Sequence, residues 1–90
     1  MTRRKYRSQA GIILDILDSL YRKGPMNATR LGYSANLPYD RLKEILAVLQ
    51  RKGYVAVAEN GQLTITREGI RALQRLMEAR MLLESLGYRL

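Results

Sequence analysis

The sequence contains no cysteine and no histidine. Without thiols it can build neither a disulfide scaffold nor a thiolate zinc site, and without imidazole it lacks the commonest general base of enzymes. No apolar run approaches the roughly 20 residues a membrane-crossing helix needs. Asp15 and Asp18 also interrupt the apolar stretch that follows the basic start, as a secretory leader would not allow. Acids are scarce, 8 against 16 Lys and Arg. Asp15, Asp18, Asp40, Glu44, Glu59, Glu68, Glu78 and Glu84 are scattered, mostly beside basic residues, which is the pattern of solvated charge partners and not of paired catalytic carboxylates. These absences predict a protein that is not an enzyme and that uses no cofactor and no metal.

What remains is 90 residues, enough for one domain with one modest core. The balance of 47% hydrophobic and 27% charged residues is that of a folded globular chain. A formal net charge of +8 in so short a chain predicts association with a polyanion, most often nucleic acid. The charge is uneven: Arg3, Arg4, Lys5 and Arg7 precede the first acid, Asp15, so residues 1–8 read as a basic arm. If each of these four cations neutralises one phosphate, the arm alone contributes a slope of roughly −3.6 to log K against log salt, at about −0.9 per contact.

The punctuation divides the chain. Ser8 suits the cap of a first helix from about Gln9 to Arg22, with Ile12, Ile13, Ile16, Leu17 and Leu20 at helical spacing and Gly24-Pro25 as the stop. Asn27 suits the cap of a short second helix through Ala28, Leu31 and Ala35, in which Gly32 costs about 1 kcal/mol relative to alanine. Asn36 and Leu37 make a turn. A third helix follows from about Pro38 to Arg51, its apolar stripe formed by Leu42, Ile45, Leu46 and Leu49, with Asp40 complementing the dipole at its start. Residues 54–66 then switch to a period of two around Asn60-Gly61, which predicts a two-stranded hairpin closed by a type I′ turn. Val55 and Val57 should share one face, as should Leu63 and Ile65.

A last helix begins near Thr66 and Glu68, and its apolar pattern carries to about Leu86. Two stripes run along it. Ile70, Leu73 and Met77 suit packing on the domain, whereas Ala72, Leu76, Ala79, Leu83, Leu86 and Leu90 repeat as a heptad seam that suits a second copy of the chain.

Helix, helix, turn, helix, hairpin, helix is the order of a winged helix-turn-helix domain, mainly α with a small β-hairpin, here spanning residues 9–66 with a dimerisation helix over 67–90. In that fold the third helix presents its start to the major groove of double-stranded DNA. Tyr39, Arg41 and Lys43 are then candidates for the groove, and Thr29 and Arg30 for phosphate contacts near the start of the second helix. Asp40 and Glu44 either discourage wrong registers, accept from a cytosine amino group, or pair with neighbouring cations.

Residues 29–55, TRLGYSANLPYDRLKEILAVLQRKGYV, followed by LTITREGIRAL at 63–73, resemble the archaeal winged helix-turn-helix family that includes small chromatin-associated proteins of Sulfolobus. The most specific parts are the turn at Tyr33, Ala35, Asn36 and Leu37, the leucine run ending at Lys52-Gly53, and the Thr66 and Gly69 start of the last helix. The resemblance implies DNA binding, a homodimer made by antiparallel pairing of the last helices, and a regulatory or chromatin role on the nucleoid. Two features depart from it. Pro38 stands where that family places a small hydroxyl cap, and the wing tip, Glu59 to Gln62, carries no cation. A wing contact is therefore expected only through Asn60, Gly61 and Gln62. The rival reading is a protein-interaction module of the same fold, which should expose an apolar patch away from the dimer seam. RNA binding is disfavoured because no sheet with exposed aromatics is predicted.

Overall fold

The computed structural model describes residues 8–89. The order of elements is α1 (Gln9–Lys23), α2 (Ala28–Ala35), α3 (Tyr39–Arg51), β1 (Val55–Val57), β2 (Leu63–Ile65) and α4 (Arg67–Ser85), the mainly helical winged arrangement expected. The arm cations Arg3, Arg4, Lys5 and Arg7, and Leu90 of the expected seam, lie outside the described residues.

Ser8 caps α1 as anticipated, its Oγ accepting from the Gly11 N–H at 3.0 Å. Burial on α1 is wider than one stripe. Leu14 is buried together with Ile12, Ile16, Leu17 and Leu20, while Ile13 sits at the core's edge. The reason is position: α1 packs against α2, α4 and β2 at once, so it has core on more than one side. α3 lies outside this central helix, packed on α2 and β1 through Leu42, Ile45, Leu46 and Leu49.

The tight turn between α2 and α3 depends on two residues. Asn36 adopts the left-handed region (φ 57°, ψ 52°), which Asn tolerates better than most side chains. Gly32 lets the chain fold back onto α2, its carbonyl accepting from the Leu37 N–H at 2.9 Å. A Cβ on Gly32 would stand 3.3 Å from the Leu37 carbonyl oxygen, so this glycine serves packing as well as costing helix propensity. α3 starts one residue later than expected, with Pro38 just before it. Pro38 has φ −67° and ψ 153° and contributes no side-chain cap. Its carbonyl nonetheless accepts from the Leu42 N–H at 3.0 Å, so α3 starts at Tyr39 without the usual hydroxyl.

The hairpin pairs Val55 with Ile65 and Val57 with Leu63, but its turn is not type I′. Asn60 has no positive φ; Gly61 does, at 85°. The Ala58 N–H donates to the Gln62 carbonyl at 2.8 Å and the Gly61 N–H to the Ala58 carbonyl at 2.9 Å. Glu59, Asn60 and Gly61 thus form a three-residue loop with a left-handed glycine last, the next commonest hairpin closure. Asn60 keeps its negative φ while its Oδ1 accepts from the Gln62 N–H at 3.0 Å, the side-chain turn typical of Asn. Val55 is buried, but Val57 on the same face reaches past the helices and is 53% exposed. A further pairing was not expected: Met26 and Leu63 exchange backbone hydrogen bonds at 3.2 and 2.8 Å, tying the loop after α1 to the hairpin.

Thr66 caps α4 by accepting from the Gly69 N–H at 3.0 Å and also donates to the Gly53 carbonyl at 2.6 Å. Over its first half α4 shows one broad packed face. Leu73 is buried, and Ala72, Leu76 and Met77 all pack against the core, so the two stripes expected there merge and part of the expected seam already touches the domain. Beyond Ala79 the core ends. Met81, Leu82 and Leu86 are 67%, 62% and 63% exposed, with Leu83 half-buried. The helix ends at Ser85: the Tyr88 N–H donates to the Leu83 carbonyl and the Gly87 N–H to that of Glu84, at 2.8 and 3.0 Å, with Gly87 left-handed. Leu86 therefore caps the helix, and residues 87–89 of the expected dimerisation helix lie beyond its last turn.

Candidate nucleic-acid interface

The apolar stripe of α3 dictates what its other side presents. Anchored by four buried aliphatic residues, the helix leaves Tyr39, Asp40, Arg41, Lys43 and Glu44 exposed along its first two turns. Lys43 Nζ lies 5.5 Å from the centroid of the Tyr39 ring, a cation–π pair one turn apart that leaves the ammonium in solvent. Arg41 Nη2 donates to Gln9 Oε1 at 2.8 Å. That contact brings the start of α1 beside the start of α3. Asp40 and Glu44 have no ion-pair partner among the described residues, contrary to the pairing with Arg41 or Lys43 that was one expectation for them.

Thr29 and Arg30 are exposed in the first turn of α2. This turn is rigidly set: Asn27 Oδ1 accepts from the Arg30 N–H at 2.8 Å. The far end of α2 is tied to α1 by a chain of side-chain bonds, Lys23 Nζ to Ser34 Oγ at 2.9 Å and Ser34 Oγ to Ser19 Oγ at 2.9 Å. Ser19 is a buried polar residue, so this chain satisfies a group that would otherwise be orphaned. Ser34→Ala is expected to lower unfolding free energy by about 1 kcal/mol, read as a shifted urea midpoint with unchanged slope; an unchanged midpoint would mean the bonds hold nothing. Sequence periodicity pointed to neither this link nor Gln9–Arg41, because both pair polar residues on different helices.

Asn60 is exposed and Gln62 half-buried, and their amides bond each other, Asn60 Nδ2 donating to Gln62 Oε1 at 3.3 Å. Between α2 and the start of α3 lies an open groove of about 330 Å³ lined by Ala28, Thr29, Gly32, Tyr33, Leu37 and Tyr39. Tyr33, 84% exposed, was not among the expected site residues; its place in the last turn of a helix with a buried opposite side was the available signal. Among the described residues no group of three or more Asp, Glu, His or Cys side chains is placed to hold a metal ion, and no helix is long and apolar enough to cross a membrane.

The profile of the winged helix-turn-helix family matches residues 6–84. A crystal structure of a transcriptional regulator from Thermotoga maritima superposes with a TM-score of 0.65 at 23% identity, covering 79% of this chain and 52% of that one. This chain thus spans about half the length of that regulator, and the likeness is one of fold. No curated protein matches the sequence.

Proposed function

This chain belongs to the winged helix-turn-helix family, and we propose that it binds double-stranded DNA as a transcriptional regulator, with α3 in the major groove and basic residues on the flanking phosphates. The observation that carries this reading is the union of three features on one side of the molecule. The start of α3 exposes Arg41 and Lys43, the contact from Arg41 to Gln9 brings alongside the start of α1, which follows the basic arm in sequence, and the capped start of α2 offers Thr29 and Arg30. In this reading Tyr39, Arg41 and Lys43 face base edges, Thr29, Arg30, Arg3, Arg4, Lys5 and Arg7 face phosphates, and Asn60 and Gln62 make the wing's slight approach. Asp40 and Glu44, unpaired in the domain, discourage misplaced registers by repelling phosphate. The test is competition. A labelled mixed-sequence duplex bound by the protein should be displaced by unlabelled duplex DNA well before single-stranded DNA or RNA of the same sequence. Preferential displacement by either single strand contradicts the reading.

The regulator acts as a homodimer through the outer end of α4. Support comes from the exposure of Met81, Leu82 and Leu86 beside half-buried Leu83, an apolar surface that one domain leaves uncovered. Ala72, Leu76 and Ala79 extend the seam toward the core. Two recognition helices at fixed separation convert a weak contact into a bivalent one. The resemblance to archaeal chromatin-associated proteins supports an architectural role on the nucleoid as the form this regulation takes. Leu82→Glu with Leu86→Glu, both at exposed positions, is expected to halve the mass found by light scattering at micromolar concentration. A parent and variant of equal mass would remove the seam.

A further inference from the structure

We propose that the groove between α2 and the start of α3 seats one sugar-phosphate unit of a DNA strand, with Tyr33 as its outer wall and main contact. The inference rests on the duplex-binding reading above and assigns a contact to a residue that the reading itself does not use.

Local geometry creates the groove. The three-residue connection Asn36 to Pro38 brings Tyr39 close to the side of α2, and Gly32 supplies a floor with no side chain, closed below by the Leu37 carbonyl only 3.3 Å from where a Cβ would sit. Tyr33 and Tyr39 stand on either side, 84% and 56% exposed. Leaving so much of a tyrosine ring in water forgoes the burial that aromatic residues usually gain, whereas an apolar ring with a polar tip suits a contact that is half sugar and half phosphate.

The chemistry of the lining selects the occupant. No carboxylate lines the groove. Thr29 and Tyr33 bring two hydroxyls that can donate, and among the described residues the Tyr33 hydroxyl has no hydrogen-bond partner. Phosphate oxygens only accept, and Thr and Tyr hydroxyls are regular partners for them. Arg30 follows Thr29 in sequence and the Lys43 ammonium lies against the Tyr39 ring, two cations beside the groove against one neighbouring carboxylate, Asp40, which follows Tyr39. The volume of about 330 Å³ lies at the lower end of ligand-sized sites, roughly 300–1,000 Å³. Because the groove is open along its length, it suits one unit of a strand held in place by its neighbours better than a free small molecule that must be enclosed. Its mouth adjoins the start of α3, where a strand bordering the major groove would pass.

Tyr33→Ala and Tyr33→Phe test this against labelled duplexes of two unrelated sequences, by anisotropy at two salt concentrations. The alanine variant is expected to bind about five- to tenfold more weakly, the loss of one hydrogen bond together with ring contact. The loss should be equal on both sequences, and log K should keep its slope against log salt, because a neutral side chain releases no counterion. The phenylalanine variant should show a smaller loss in the same pattern. Thermal midpoints should match the parent, since Tyr33 contributes no core. An alanine variant that binds like the parent overturns the groove assignment, as does a loss confined to one sequence, which would make Tyr33 a reader of bases. A parent that binds no duplex fails the duplex-binding reading itself, a result distinct from either.

Discussion

Gly69→Ala is expected to destabilise the domain by about 3 kcal/mol or more, at the upper end of overpacking effects, and to lower the thermal midpoint by at least about 12 °C for a chain of this size. Helix propensity alone predicts the opposite sign, since alanine in a helix interior is favoured over glycine by about 1 kcal/mol. The structure decides between them. A Cβ on Gly69 would lie 2.1 Å from the Tyr54 carbonyl oxygen and 2.7 Å from Ile65 Cγ1. The backbone carbonyl cannot swing aside, because it accepts from the Thr66 N–H at 3.0 Å while the Thr66 hydroxyl holds Gly53 next to it. The first turn of α4 is thereby clamped onto the end of the α3–β1 connection. Calorimetry reads the result directly: a lowered midpoint confirms the clamp, and a raised one would show that α4 does not approach β1 this closely.

Reversing both cations at the start of α3, Arg41→Glu with Lys43→Glu, is expected to weaken duplex binding at least about hundredfold, taking each charge-assisted contact as worth tenfold or more. Folding should be nearly untouched. Both side chains are exposed, and the partners they lose, Gln9 and the Tyr39 ring, are themselves at the surface. Circular dichroism and the thermal midpoint therefore serve as controls. If the double variant binds as the parent does, α3 is not the element that meets DNA. The new carboxylates would join Asp40 and Glu44, turning the helix start from mixed to wholly acidic, so the effect includes repulsion as well as lost attraction.

Much of this architecture was legible in the residues because it follows from local chemistry. Ser8, Asn27 and Thr66 cap their helices through bonds to N–H groups three residues on, and such caps need only the right side chain before an apolar period. The buried stripe of α3 was readable for the same reason. What escaped notice depends on contacts between distant parts of the chain. The Met26–Leu63 pairing joins residues far apart in sequence, and nothing in the Gly24-Pro25-Met26 stretch marks it. The turn at Asn60-Gly61 followed the Asn side chain's bond to Gln62 in place of the commonest two-residue closure. On α4 a heptad pattern cannot tell a wide core face from a seam, and the structure divides it along the helix: Ala72 and Leu76 touch the core, while Ala79 and Leu86 are exposed beyond it. Among site residues, exposure of Arg41 and Lys43 was foreseeable from the stripe opposite them. Tyr33 carried the same kind of signal, opposite the buried Leu31 and Ala35, but the groove beside it depends on the sharp return of the chain over Gly32, which no local pattern marks.

The most direct test is the salt dependence of duplex binding, followed by anisotropy of a labelled mixed-sequence duplex at about 50 and 200 mM salt. With four cations in the arm and Arg30, Arg41 and Lys43 on the domain, affinity should fall at least about hundredfold between the two, since several released counterions act together. Binding that is absent at the lower salt, or unchanged across the range, would contradict a phosphate-anchored DNA-binding role.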